Sequence, residues 1–338
     1  MRVNRKRLEA VARCPALFPR LLLSQTFLLG MNEGLVENHA MSRKFCFLFL
    51  AIAAFIAEPN SRSLSATTDS PPPGVTVAFW NIQWFPGRRP NATRPEESRQ
   101  IKAVHNDIVQ LNADIIGMEE VRDFSRASMA VAPLAGFKVD ACANFPPREG
   151  QGETQQVAIA SRLQPLSAWA EEWKSTGAMT PPRGFAFAAY EFMPRQLMLV
   201  YAVHLKSNRG DIREDIPIRQ ESIRQLRSHM DAMQAAYGKL GSIAWVVGGD
   251  FNTSLDDNRF AREATLHALL NNGFSWSWQN VPAASRATLP PGRDFPAACF
   301  DHIFYRGATL RRAWLANTSA QSSDHHAIAA TLDLPATQ

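Results

Sequence analysis

Between residues 75 and 334 the apolar positions fall into short runs of period two, separated by longer stretches with a period near 3.6. Nine runs rich in β-branched and aromatic residues predict strands: 75–80, 114–118, 136–141, 156–161, 185–192, 196–205, 242–249, 299–305 and 326–334. Three stretches, 96–111, 213–237 and 258–271, predict helices. In the second of these, Ile218, Ile223, Leu226, Met230 and Met233 form an apolar stripe whose plain reading is core packing. Strands alternating with helices favour one α/β (α+β) domain of about 260 residues, with sheets packed together and helices outside. No internal repeat is visible.

The N-terminal region follows a different pattern. From Met41 a short basic start leads into an apolar stretch at 45–57 and then into small polar residues, the order of an export signal. The apolar stretch is shorter than the roughly 20 residues of a membrane span. The expected organisation is therefore an upstream extension over 1–40, which precedes a second start at Met41, a signal peptide over 41–66, a linker over 67–74 and a domain over 75–338. Such a protein would be secreted or periplasmic, without stable membrane insertion, and monomeric.

Charge changes the picture less than it first suggests. The chain carries 36 Lys and Arg against 31 Asp and Glu. Eight of the basic and three of the acidic residues lie in the first 57, which leaves 28 of each in 58–338. The domain is formally neutral, so any attraction for a polyanion must come from a local patch. Beyond the leader only Cys142 and Cys299 remain. In an exported protein they could form one bridge or stay as two buried thiols, and the sequence leaves both open.

The candidate chemistry sits at strand ends. Asn81 follows the first strand, Glu119 and Glu120 the second, His204 ends the sixth, and Asp250 and Asn252 follow the seventh. Asp301 and His302 lie inside the eighth, and Asp324, His325 and His326 lead into the ninth. Taken singly, an Asp after Gly-Gly is a turn residue and an Asn near a strand end is a cap. Asp301 among apolar neighbours, however, needs a partner. A side chain at a strand end projects from the rim of a sheet, where a pocket can form over a fixed backbone. Cys142 and Cys299 lack the CxxC spacing of a zinc site, and no serine lies in a nucleophile elbow.

The runs FWNIQWF, DIIGMEEVRD, VHLKSN, VVGGDFNT, CFDHIFY and SSDHHAIAATL, in this order over residues 75–334, resemble the motifs of the endonuclease/exonuclease/phosphatase superfamily. MEEVRD and the histidine of VHLKSN are most similar to its pancreatic-type deoxyribonuclease branch. The resemblance implies a four-layer sandwich, two mixed β-sheets face to face flanked by helices, with a cleft at the rim. It implies Mg²⁺ or Mn²⁺ bound by Glu120, with Asn81 and Asp324 beside it. Gln83 stands where some members have Asp, and Glu119 where many have Gln. Asp250 would orient or deprotonate the attacking water, Asn252 would donate to a phosphoryl oxygen, Asp301 would pair with His325, and His204 would serve the leaving-group side. Arg122 and Lys206 would meet neighbouring phosphates. His302 and His326 are expected to be structural.

This set is chemically coherent without the family. A phosphodiester repels anionic nucleophiles, so its hydrolysis needs a cation on the equatorial oxygens, an aligned water and a proton for the leaving alkoxide. The implied reaction is metal-assisted phosphodiester hydrolysis. The favoured substrate is nucleic acid, DNA or RNA, cut with low sequence specificity. The alternative is a sphingomyelinase-like or other phospholipid phosphoesterase, whose membrane-facing loop would be 273–296 with Phe274, Trp276 and Trp278 exposed. Against it, the same segment reads as a short strand packed on the core.

Overall fold

The computed structural model describes residues 74–147, 155–177, 179–292 and 295–335. The upstream extension, the signal peptide and the linker up to residue 73 lie outside the described residues.

Among the described residues twelve strands form two six-stranded mixed sheets. The first is built from β1 (Val75–Phe85), β2 (Ile115–Val121), β3 (Lys138–Cys142), β4 (Gln156–Ser161), β11 (Thr309–Leu315) and β12 (Ile328–Asp333), in the order β11-β12-β1-β2-β4-β3. The second holds β5 (Ser167–Glu172), β6 (Gly184–Met193), β7 (Gln196–His204), β8 (Ser242–Asp250), β9 (Ser275–Trp276) and β10 (Asp301–Arg306), in the order β5-β6-β7-β8-β10-β9. β1 and β2 are parallel, as are β7 and β8, and the other pairs are antiparallel. Helices α1 (Arg94–Ile108) and α2 (Phe124–Val131) cover the first sheet, and α3 (Ile212–Tyr237) and α4 (Thr265–Leu270) the second.

Period-two alternation explains the layering. Along β1, Val75, Val77 and Phe79 enter the core between the sheets, while Ala78, Trp80 and Ile82 pack under α1 and α2. β12 divides in the same way, with Ile328, Ala330 and Leu332 inward and Ala327 and Ala329 towards the helices. The stripe on α3 buries Ile223, Leu226 and Met230 in the core, with Met233 packed against it. Gly117 and Gly248 face each other's sheet across Phe79. A Cβ on either would lie 2.3 Å from the Phe79 ring, so these two glycines set the room in which the sheets meet.

The structure adds β5, β11 and α2 to the sequence reading, and β9 is the short strand expected within 273–296. The helix expected over 258–271 is instead a 3₁₀ turn at Asn258–Phe260 followed by the short α4. Cys142 and Cys299 are both free thiols, one at the edge of the first sheet and the other leading into β10 of the second, so the bridge held open above does not form. Among the described residues no helix is long and apolar enough to cross a membrane.

Candidate functional site

The site lies where the C-terminal ends of the parallel pairs β1–β2 and β7–β8 meet. In register, Asp250 pairs with His204 on one side and with Asp301 on the other, so three polar side chains stand in a row on three neighbouring strands. Gly249, at φ +126°, immediately precedes Asp250, and a Cβ there would lie 2.1 Å from the Val203 carbonyl. Only glycine fits that position, which accounts for the Gly-Gly before the aspartate. Across the gap the pairing of β2 with both neighbours breaks around Glu120, which takes φ +61°. The bulge turns Glu120 into the rim while Glu119 points between the sheets.

Asn81, buried, joins the two carboxylates. Its Nδ2 donates to Glu120 Oε1 at 3.2 Å and to Asp250 Oδ2 at 3.1 Å. Its Oδ1 accepts from the Gln83 N–H at 3.0 Å, so the amide turns its donor side to the two carboxylates. The Trp84 N–H donates to Glu120 Oε2 at 3.1 Å, and the Asn252 N–H to Asp250 Oδ1 at 2.8 Å. His325 Nδ1 lies 2.8 Å from Asp301 Oδ2, and its Nε2 lies 3.9 Å from Asp250 Oδ2. His204 Nε2 is 3.6 Å from Asp250 Oδ2 and 3.8 Å from Glu120 Oε1. Asp324 Oδ2 accepts from Gln83 Nε2 at 2.7 Å. Asn252 Nδ2 donates to the Leu205 carbonyl at 3.2 Å.

Electrostatics separates these groups. Burial pushes Asp250 up to about 7, with the Asp301 charge adding to the rise. Burial also raises Glu120. Glu119 is fully buried with neither oxygen hydrogen-bonded, and burial followed by the Asp301 and Asp250 charges lifts it well above the usual carboxylate range. It is therefore held as the neutral acid, shaped like the Gln of the resembled motif. Burial works against a charged His325, yet Asp301, by its charge and hydrogen bond, and then Asp250 and Asp324, raise it well above the ordinary imidazole value. His204 goes the other way: burial, then the Arg183, His325 and Arg209 charges, depress it well below that value. His302 is pushed down to about 4 by burial; its ring bridges Trp276 Nε1 at 3.0 Å and the Thr253 carbonyl at 2.9 Å, a structural role. His326 meets Thr318 Oγ1 at 3.1 Å, outside the cluster.

The donor set suits a hard divalent cation. Glu120, Asp250 and Asp324 offer carboxylate oxygens, with no thiolate among them, and two of the three share a single amide donor. A tighter trio, Asp250, Asp301 and His325, has one ligand atom each within 4.8 Å of one another. There His325 is kept charged by Asp301 and so has no nitrogen lone pair to offer, and the oxygens around Glu120 are the better seat.

Around this cluster opens a cleft of about 910 Å³. Six basic side chains line it: Arg88, Arg89, Arg183, Lys206, Arg209 and Arg259. Lys206 is ion-paired with Asp215 at 2.7 Å but faces the cleft. Arg122 does not. Its Nη1 binds Glu97 Oε1 at 2.9 Å and its Nη2 the Pro86 carbonyl at 3.1 Å, so it clamps α1 to the first sheet rather than meeting a phosphate. Phe274, Trp276 and Trp278 are buried in the core, with β9 paired to β10, so the membrane-facing loop required by the lipid reading is absent from these residues.

Arg183 was not foreseen. It sits behind His204, with Nε on the His204 carbonyl at 2.9 Å and Nη2 on the Leu205 carbonyl at 2.5 Å. Its only sequence signal was the Pro-Pro-Arg-Gly turn before β6, which looks like an ordinary connection.

Residues 78–325 match the family model described as the Endonuclease/Exonuclease/phosphatase family. Solved structures with the same architecture include an endonuclease/exonuclease/phosphatase from Beutenbergia cavernae, 16% identical over 78% of this chain and 72% of that one, with a TM-score of 0.57. TDP2 from Caenorhabditis elegans is 19% identical over 77% and 74%, with a TM-score of 0.52. The mannosyl-6-phosphatase Bt3783 from Bacteroides thetaiotaomicron is 15% identical over 76% and 99%, also with a TM-score of 0.52. At such identities the likeness is one of fold. No curated protein sequence matches the chain.

Proposed function

This chain belongs to the endonuclease/exonuclease/phosphatase family and is a phosphoester hydrolase dependent on a divalent metal, and from that premise we propose that it is an exported nuclease of low sequence specificity. The observation that carries the reading is the charge of the cleft. In a domain whose formal charges balance, six basic side chains line the cleft around the carboxylate cluster, three of them ion-paired (Arg89 with Glu96, Lys206 with Asp215, Arg259 with Asp257), and they come from connections of both sheets. A strand with a phosphate on either side of the reacting one matches that distribution better than a single headgroup. The deoxyribonuclease-like branch is supported by MEEVRD and by His204, and export by the leader from Met41.

Mg²⁺ or Mn²⁺ held by Glu120 with Asp324 alongside would neutralise the equatorial phosphoryl oxygens. Asp250, lifted towards neutrality by burial, is suited to take the proton from the attacking water. As the water oxygen bonds to phosphorus, the opposite P–O bond breaks and the leaving oxygen takes up a proton from solvent water, which enters the open cleft. His325, kept charged by Asp301, presents Nε2–H to the growing negative charge on the phosphoryl group. Asn252 fixes Asp250 through its backbone N–H, and its half-committed amide is placed to donate to a phosphoryl oxygen. His204, neutral and backed by Arg183, lies on the leaving-group side.

Supercoiled plasmid, sphingomyelin vesicles and a hexose phosphate offered with Mg²⁺ or Mn²⁺ separate the family's substrate classes. Nicking of the plasmid is expected, abolished by EDTA and reduced steeply between about 50 and 200 mM salt as counterions compete for the cleft. Hydrolysis of the vesicles or the sugar phosphate with no nicking under either metal would overturn the nuclease reading.

A further inference from the structure

The end of β1 and the loop joining it to α1 are built unlike the rest of the rim. Gln83 and Trp84 in the strand and Arg88 and Asn91 in the loop take φ between +45° and +66°, and Gly87 takes +113°. Left-handed backbone on side-chain-bearing residues costs on the order of 1 kcal/mol or more each, and persists only where the surroundings impose it. One buried side chain imposes it here. Gln100 on α1 donates from Nε2 to the carbonyls of Ile82 at 2.7 Å, Gln83 at 3.1 Å and Ser322 at 2.8 Å. Its Oε1 accepts from the N–H groups of Gly87 and Arg88. A single amide thereby clamps the loop to the segment that leads into Asp324.

The clamp fixes Arg88. Arg88 Nε donates to Gln83 Oε1 at 2.6 Å, and Gln83 Nε2 in turn donates to Asp324, so the guanidinium is tied to the catalytic cluster through one amide. Beside it lies a second cavity of about 400 Å³, which shares Gln83, Arg88 and Arg89 with the catalytic cleft. Its charged lining is Arg88, Arg89 and Arg99 against Glu96, and among the described residues no apolar side chain faces it. Arg89 is neutralised by its pairing with Glu96. Among the described residues neither Arg88 nor Arg99 has a carboxylate partner, so the positive charge of this cavity is theirs.

We propose that this cavity is a second phosphate subsite, which takes the phosphate next along the strand from the one being cleaved. The proposal rests on the nuclease reading and sharpens it. Arg88, with Nε already held, keeps its two Nη groups for the forked contact that guanidinium makes with phosphate oxygens, and Arg99 adds a second charge. A substrate with one phosphate leaves the subsite empty. The enzyme should therefore favour chains of two or more phosphates.

The test compares wild type with the double variant Arg88→Ala/Arg99→Ala on a short single-stranded oligonucleotide and on a dinucleoside monophosphate, which has no second phosphate. The ratio of the two KM values is expected to shift about tenfold against the oligonucleotide, a difference of about 1.4 kcal/mol in binding. The slope of log(kcat/KM) against log[salt] for the oligonucleotide should shrink by about 0.7, the share of one single-strand phosphate. Arg94→Ala, on the same helix but outside the cavity, should move neither. An unchanged ratio in the double variant, whether both KM values rise together or neither rises, overturns the subsite and leaves the nuclease reading standing. Wild-type enzyme that hydrolyses other phosphoesters but no oligonucleotide overturns the nuclease reading, and the subsite with it.

Discussion

His204 and His325 approach the same Asp250 oxygen, at 3.6 and 3.9 Å, yet one is held neutral and the other charged. Burial works against the charged form of both rings; at His204 the Arg183 charge adds to it, whereas at His325 the Asp301 carboxylate, by its charge and hydrogen bond, overturns it. Asp301→Asn keeps an acceptor for the ring but removes the charge that maintains the imidazolium. We expect kcat to fall on the order of 10²-fold with little change in KM, because the lost interaction strengthens in the transition state. Wild-type kcat in that variant would refute the role given to the dyad. His302 gives a residue-scale test of stability. Its folded value of about 4 lies below the ordinary 6.5, so above pH 6.5 both folded and unfolded chains leave it neutral. As pH falls from 6.5 to 4 the unfolded chain takes up a proton that the native one refuses, and stability drops by up to about 3 kcal/mol. His302→Gln supplies an acceptor for Trp276 and a donor for Thr253 without titrating. Urea midpoints at pH 7 and 4.5 should lie closer together in this variant than in wild type; an equal gap would show that another group carries the acid sensitivity.

Among the elements, what the sequence left unread was mostly sheet edge. β11 and β5 each end a sheet, where one flank lacks a neighbour and charged or half-exposed residues are tolerated. Thr309–Leu315 carries two adjacent arginines and Ser167–Glu172 two glutamates, which blur the alternation by which central strands such as β7 declare themselves. α2 escaped because its buried face is mostly Ala127 and Ala130. Site residues were legible for a related reason: a polar residue closing an apolar run is conspicuous. Gln100 and Arg183 were not, since each acts through contacts that only the folded chain creates. The helix expected over 258–271 broke because Glu263 is drawn under α3. There, fully buried, Arg219 forks onto it with two bonds of 2.7 Å, while its Nη1 holds the Lys206 carbonyl and Asn208 Oδ1 of the cleft loop. Removing one partner leaves a buried charge uncompensated. Arg219→Met should therefore cost about 3–5 kcal/mol, whereas Arg219→Met with Glu263→Leu should recover much of that stability. Denaturant unfolding decides this, and a single variant losing less than about 1 kcal/mol would show that the pair is dispensable.

At the scale of the whole molecule, the sandwich concentrates acid at one rim. Glu119, Asp250 and Asp301 are buried there, Glu120 is half-buried, Asp324 lies alongside, and His325 is the one cation inside the cluster among the described residues. Burial raises three of these carboxylates above their ordinary range, so folding works against their ionisation and the apo domain carries a local electrostatic strain that its otherwise balanced charge does not reveal. A divalent cation that binds the native rim and not the unfolded chain stabilises by mass action, about 2.7 kcal/mol at a hundred times its Kd. For a domain of this size that corresponds to a rise of roughly 5–10 °C in Tm. We expect Mg²⁺ or Mn²⁺ to raise Tm with a saturable dependence on concentration, and EDTA to reverse it without substrate present. Glu120→Gln should remove most of the metal increment while raising the metal-free Tm, because the substitution deletes one of the crowded charges. Calorimetry across a metal titration reads both effects. A metal increment of wild-type size in Glu120→Gln would move the cation seat away from Glu120, to the neighbouring trio of Asp250, Asp301 and His325.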